Sequence, residues 1–520
     1  MYTRGNVWAA RVVGAISPLF EELIGANWPK SLDTQRRETR AMGNPKVMPK
    51  PTWNSRYLWP ELIGSIAALV LLLAAPVRAQ DYKSYTRETF DQWYEKYKDT
   101  KADFKPGDVL TAKDIERMRP FVPPGYLEQL NFPEFKAEII APVSHRPRQD
   151  YVDCTEKYQS QVRMKPDGSV ENYTCGQPFS SELKVDDPQA GFKAAWNFEY
   201  RWQNYGYFCD CPATWDRFGG SHATPPEYEP PPPSWREGIP FTWTKPSAEE
   251  MKDIYGGGGN FQRHLTCMYK KIIESHLPQL PDHLVPAPDA ATFEWKEFTG
   301  FFEPFDIRGT AFIIYRYNDP FRADDAWAYI PNLRRVRRIS AEVKSDSLLG
   351  TDHTLEDFYG FSGRPLEWKW KFMGFKDALV VMDSKYDYTH LYGPNGIIPN
   401  DVWSLRRFVL IERKSKDPRH PYSSVVDFWD PENWDTFYME AWDRKGKLWK
   451  VWEFQKKWTE TFKDWADINK GTFITNFQSI QVLDLQNDRG TIWITPGGYP
   501  NLDVKVLGLY DINKLEEIHR

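Results

Sequence analysis

Long hydrophobic runs are almost missing from this 520-residue sequence, and neither charge sign is in excess. The one sustained apolar stretch, Leu62–Ala75, is interrupted by Gly64 and Ser65. At about 14 residues it falls short of the ~20 that a helix needs to cross a bilayer. Lysine and arginine number 67 against 72 acids, for a net charge of −5. That near-balance leaves no electrostatic footprint for nucleic acid. Histidine and cysteine are scarce, at nine and five. No two histidines are spaced as ligands on one helix face, and Cys-x-Cys with one distant cysteine matches zinc spacing poorly. Neither His-Glu-x-x-His nor Gly-x-Ser-x-Gly occurs. The glycine run Gly256–Gly259 has no strand before it and no Lys-Ser/Thr after it, so it does not cradle phosphate. These absences leave no residue to assign a catalytic role, and the expectation is a non-enzyme with no cofactor and no metal.

Aromatics, by contrast, are abundant: 16% of residues, with 23 Trp, 27 Tyr and 31 Phe, in a chain of mean hydropathy −0.64. Such density suits pleated, half-buried strands and can also line a cavity. Lys46, Lys50 and Arg56 precede the apolar run, and Val77, Arg78 and Ala79 follow it. That is the pattern of an export leader cleaved after Ala79, which places the mature chain in the periplasm. Neither Gln80 nor Asp81 is a cysteine, so no lipid anchor is expected there. Export permits disulfides. Cys154 and Cys175 flank the turn Lys165–Gly168, which suits a cross-strand bridge, and Cys267 can pair with Cys209 or Cys211.

Thr86–Lys98 reads as an amphipathic helix with Phe90, Trp93, Tyr94 and Tyr97 on one side. Thr111 with Asp114 marks a capped helix start, and Pro120 ends that helix. From Ala137 to Arg201 the pattern is short apolar or alternating runs, such as Lys136–Ala141 and Ser169–Thr174. Residues 203–292 carry the proline tract Pro225–Pro233 and the glycine run, so no regular strand is expected there, and Phe261–His276 is a helix candidate. From Glu294 onward strand signals are dense: 307–317, 326–330, 335–339, 367–372, 378–383, 402–412, 423–429, 436–442 and 448–454. The division expected is an extension and leader (1–79), a helical segment (80–135), a β domain in two parts (136–202 and 293–460), an insertion (203–292) and C-terminal strands (461–520). The fold class expected is mainly β.

The stretch from Tyr315 to Gly363 is the most unusual. Trp327 and Tyr329 share one strand face. Arg334, Arg335, Arg337 and Arg338 crowd the next run, then Asp346, Asp352, Glu356 and Asp357 follow. Internal pairing of these arginines with these acids is favoured over direct contact with an anionic head group. Arg334, Arg338, Asp352 and Asp357 are the ion-pair candidates. Leu348, Leu349, Phe358, Tyr359 and Phe361 can form a lid over an apolar face, although ordinary core packing is favoured for any one of them.

These residues carry a family resemblance. The run Trp327–Ile339, Gly350–Asp352 and Glu356–Phe358 resembles the signature of outer-membrane lipoprotein-sorting-like proteins, and more specifically of the domain-of-unknown-function 1329 family. Gly176–Phe179 with Gly191–Asn197 and Arg201, Arg406–Glu412 leading to His420–Tyr422, Asp427–Trp434 and Trp442–Val451 support it, over roughly residues 136 to 460. The resemblance implies a curved, half-open antiparallel sheet, an incomplete barrel of the lipoprotein-carrier type, with helices and the insertion covering its concave face. It implies a periplasmic carrier or chaperone for a lipid or other hydrophobic compound. An accessory role beside an outer-membrane β-barrel or an inner-membrane exporter is the alternative, and an envelope hydrolase a lesser one. The expected ligand contacts are Trp327, Tyr329, Arg335, Arg337, Leu348, Leu349, Phe358, Tyr359 and Trp368.

Overall fold

The computed structural model describes residues 85–206, 208–217, 260–339, 344–393, 396–463, 469–487, 489–494 and 508–515. All of these lie in the unit Gln80–Arg520. The expected leader, the proline tract and the glycine run fall outside the described residues.

In chain order the strands are β1 (Val109–Thr111), β2 (Lys136–Ile140), β3 (Arg163–Met164), β4 (Val170–Glu171), β5 (Phe208–Arg217), β6 (Asn260–Ile273), β7 (Phe293–Glu303), β8 (Ala311–Tyr317), β9 (Asp325–Ile330), β10 (Arg335–Ile339), β11 (Trp368–Val380), β12 (Leu391–Tyr392), β13 (Ile398–Pro399), β14 (Val402–Ser415), β15 (Tyr422–Trp429), β16 (Thr436–Asp443), β17 (Leu448–Trp458), β18 (Thr475–Asp484) and β19 (Arg489–Ile494). Three helices matter for the site: α1 (Arg87–Tyr97), α2 (Gln149–Tyr158) and α3 (Ala190–Glu199). One large sheet takes every strand except the small hairpins β3–β4 and β12–β13. Its order runs β11, β14, β15, β16, β17, β18, β19, β5, β6, β7, β8, β9, β10, and β2 with β1 lies beside the first residues of β14. Neighbours are antiparallel apart from β2 with β14. The sheet stays open, so the protein is mainly β without being a closed barrel.

Bending follows from distances along this order. The residues Phe358–Ser362 touch both β14 and β8: Arg413 donates to the Gly360 carbonyl and Arg316 to the Ser362 carbonyl. Nine strand spacings separate β14 from β8, or roughly 43 Å if the sheet were flat. Five residues reach about 17 Å at full extension, and two arginine side chains do not close the gap. The sheet therefore wraps around this segment, and the face that meets it is concave.

Alternation along each strand supplies both faces with apolar side chains. The outer face of β14–β18 presents Phe408, Leu410, Phe428, Tyr438, Val451 and Leu483, covered by Phe90 and Trp93 of α1 and by Tyr126. Thr86 caps α1 with the Thr89 backbone N–H, and Thr111 with Asp114 caps the next helical turn, as those residue types predict. The concave face presents Tyr269, Phe301, Trp452, Phe454, Phe477 and Trp493. α3 covers the β11–β14 end of it with small residues, Ala190, Gly191, Ala194 and Ala195.

Four expectations are overturned. Residues 203–292 do contain regular strands: β5 and β6 sit in the middle of the sheet, between β19 and β7. The helix expected over 261–276 is β6, whose apolar spacing is amphipathic at either period but whose backbone is claimed by two neighbouring strands. The run 137–201, read as short apolar or alternating runs in the first part of the β domain, holds the helices α2 and α3. The two strands expected at 367–372 and 378–383 are a single strand, β11, with a bulge at Met373 and Gly374. There the Tyr94 hydroxyl donates to the Met373 carbonyl at 3.0 Å, and it stands 2.2 Å from where a Cβ on Gly374 would be. Only glycine admits that approach at φ +131°.

Candidate functional site

An irregular segment, 344–367, crosses the concave face and fills it. Phe358 lies 4.8 Å from Trp493 of β19, 5.0 Å from Tyr269 of β6 and 6.3 Å from Phe477 of β18, ring centre to ring centre. Tyr359 meets Phe477 at 5.5 Å, and Leu348 is buried in the same cluster with Leu349 against it. These aromatic contacts are of the edge-on and tilted kinds that ring quadrupoles favour.

Buried ions hold this plug at both ends. Arg413, fully buried, pairs with Asp427 at 2.9 Å and Asp357 at 3.6 Å, and donates to the Gly360 carbonyl. The Tyr422 hydroxyl donates to Asp357 at 2.8 Å. Arg316 pairs with Glu199 of α3 at 2.5 Å and with Asp324 at 2.9 Å, and donates to the Ser362 carbonyl at 2.8 Å. Arg364 at 3.0 Å and Lys344 also meet Asp324. Arg489 meets Asp352 at 2.6 Å. Burial works to raise the Asp324 carboxyl, but Arg316, Lys344 and Arg364 outweigh it and hold the group far below the usual carboxylate range. Burial pushes Asp427 up to about 6 despite Arg413, and pulls Lys271 down to about 8 against the attraction of Glu297.

The plug carries defects. Leu349 and Tyr359 adopt φ of 50° and 59°, in the left-handed region that costs a side-chain-bearing residue about 1–3 kcal/mol. His353 is buried with neither ring nitrogen hydrogen-bonded, and burial holds it neutral, with a pKa down at about 3. Next to the plug runs a groove of about 910 Å³ lined by Lys344, Glu356, Trp368, Lys416, His420 and Trp449 among others. His420 Nε2 lies 2.7 Å from Glu356 and its Nδ1 accepts the Tyr422 N–H, so both ring nitrogens are engaged. A second space, lined by Glu199, Glu294 and His276 among others, is only about 40 Å³, room for one water.

The structure separates the residues that the sequence grouped. Leu348, Leu349, Phe358 and Tyr359 come together in the plug, and Trp368 borders the groove. Phe361 turns instead to Phe198 of α3, Trp368 and Trp370. Trp327 and Tyr329 sit on the outer face of β9, with Tyr315, Leu509 and Tyr510. Arg334, Arg335 and Arg337 are exposed on or beside the edge strand β10. The arginine–acid pairing has other partners than expected: Arg338 takes Asp325, whereas Asp352 and Asp357 take Arg489 and Arg413. Sequence distance misled here, because edge strand and plug diverge after 339. Lys271, Glu297, Arg316 and Arg413 were missed, although each stands at the inward parity of its strand. Cys154 and Cys175 form a disulfide that ties α2 to a loop, not one strand to another. Cys211 stands opposite Cys267 in the β5–β6 register, and the side chains of Cys209 and Cys211 lie outside what is described. Among the described residues, the one trio spaced to hold a metal is Cys154, Cys175 and His283, and its two cysteines are bonded to each other. No helix among the described residues is long and apolar enough to cross a membrane.

Among solved structures the chain is similar to a domain described as an outer membrane lipoprotein-sorting protein domain, from Vibrio parahaemolyticus, at 17% identity and TM-score 0.37, covering 64% of this chain and 100% of that one. It is similar to a DUF1329 family protein from Desulfovibrio piger at 15% identity and TM-score 0.39, covering 64% and 99%. A LolA superfamily protein from Nitrosomonas europaea follows at 10% identity and TM-score 0.31, covering 59% and 90%. No curated protein matches the chain. The family described as "Protein of unknown function (DUF1329)" matches over residues 109–219 and 263–505, most of the chain, and the protein belongs to that family.

Proposed function

We propose that this protein is a periplasmic carrier of a lipid or other apolar compound, in which segment 344–367 occupies the cargo's place when no cargo is bound. One observation carries the reading: an aromatic concave wall is covered not by a regular helix but by an irregular segment held in strained conformations. A cargo covering about 400 Å² of that wall gains up to roughly 10 kcal/mol at ~25 cal/mol per Å². Lifting the plug forfeits a similar sum and parts Asp357 from Arg413, a cost that enters the exchange on the closed side. Relief of the strained φ angles at Leu349 and Tyr359, and water reaching His353, tilt it toward the open form. The groove beside Lys344 and Glu356 supplies the entrance, with Trp368 and Trp449 as its apolar wall and the exposed Lys416 suited to an anionic head group. The expected leader fits a cargo moved between envelope membranes.

The test is extraction of the full chain, purified from a bacterial envelope, with organic solvent followed by mass spectrometry. The expected result is an apolar or amphiphilic compound at about one per chain. An extract no different from that of an unrelated envelope protein handled identically overturns the reading.

A further inference from the structure

The β7–β8 turn (304–310) and the β9–β10 turn (331–334) lie at the same end of the sheet, because β7 and β9 run in one direction on either side of β8. Their tips expose two large apolar side chains, Phe305 at 90% and Leu333 at 51%. Water solvates such groups poorly, and among the described residues both stand out exposed at their turns. The sequence of the two tips and the start of β10, 303–309 and 331–337, holds Arg308, Arg334, Arg335 and Arg337 against Glu303 and Asp306. The four arginines are exposed. Apolar apices ringed by cations are what an anionic lipid surface accepts: the rings sink below the head groups while guanidinium groups pair with phosphates.

The shape favours a bilayer over a protein. A stable protein partner needs about 800 Å² from each side in a continuous patch, with a pocket for each anchor. Two separate hairpin tips offer no such patch, whereas a bilayer yields around each protruding side chain. We infer that this end of the sheet docks the protein onto a negatively charged membrane, independently of whether the concave face carries a cargo.

The experiment is flotation of the full chain with vesicles of phosphatidylcholine, with and without phosphatidylglycerol. The wild type is expected to float with phosphatidylglycerol vesicles and to be released by salt. Phe305→Asp with Leu333→Asp, and separately Arg334→Glu with Arg335→Glu, are expected to weaken association at least about tenfold while circular dichroism stays that of the wild type. Phe321, 66% exposed on the β8–β9 turn at the opposite end, is the control, and Phe321→Asp is expected to float as the wild type does. Failure of the wild type to float, or unchanged flotation of the Phe305/Leu333 variant, overturns the inference. A cargo extracted from a protein that does not float would leave the carrier reading standing without it.

Discussion

Glu440 of β16 is buried beneath the N-terminal helical turns and accepts the Gly125 N–H at 2.7 Å. Burial pushes its carboxyl up to about 8, against the pull of that hydrogen bond and of Arg87. Between the ordinary carboxylate value near 4.5 and pH 8, the folded chain therefore keeps a proton that the unfolded chain has lost. Stability falls as pH rises through that window, by up to about 1.4 kcal/mol per pH unit for one proton. Asp427 and Asp430, each raised to about 6 by burial, act in the same direction over a narrower range. Glu440→Gln keeps an acceptor for Gly125 and removes the proton. Urea denaturation at pH 5, 6.5 and 8 is expected to show a shallower loss of stability in the variant, with its advantage over wild type largest at pH 8. Parallel pH curves for the two proteins would refute the assignment. At this scale the sequence was readable in parity but not in partners. Arg316 sits between Tyr315 and Tyr317 in a plain alternation, yet its acid, Glu199, is on a helix that periodicity alone did not reveal.

Elements were legible where one period dominates and no neighbour competes. α1, the cap at Thr111 and Asp114, and the strands β8, β9, β10 and β14 to β17 follow from apolar spacing and turn residues. β6 did not, because Phe261, Leu265, Met268, Tyr269 and Ile272 fit helical spacing as well as they fit a strand. Pairing with β5 on one side and β7 on the other decided it. α2 is short and polar, and what fixes it is the Cys154–Cys175 bond to the loop before α3. With a sequence separation of 21 between the two cysteines, loop closure accounts for about 3 kcal/mol. Cys154→Ser with Cys175→Ser is expected to lower stability by about 2–4 kcal/mol, measured by urea midpoint under non-reducing conditions. Dithiothreitol is expected to bring the wild type to the variant's midpoint. An unchanged midpoint in both would show that the bridge is dispensable to α2.

The described part of the unit Gln80–Arg520 is a sheet wound around part of its own chain. The sequence pointed to an aromatic, open antiparallel sheet and to the residues of a lid. It did not show that the lid fills the hollow, since that depends on contacts from β14 round to β8 that no local pattern encodes. Nor did it place Trp327 and Tyr329 on the outer face, because strand parity orders residues without saying which side bends inward. Gly360, at φ +95°, marks the plug's tightest point: a Cβ there would stand 2.1 Å from the Thr436 hydroxyl. Gly360→Ala should therefore push the plug away from Thr436 of β16 and loosen it, while every aromatic residue of the wall is kept. The most direct test is titration of N-phenyl-1-naphthylamine, which fluoresces in apolar surroundings, into wild type and Gly360→Ala. The account predicts saturable binding at about one probe per chain, displaced by a long-chain fatty acid and tighter in the variant by about tenfold, because a loosened plug withholds less of the wall. Absence of saturable binding in both proteins, with the variant still folded by circular dichroism, would contradict it.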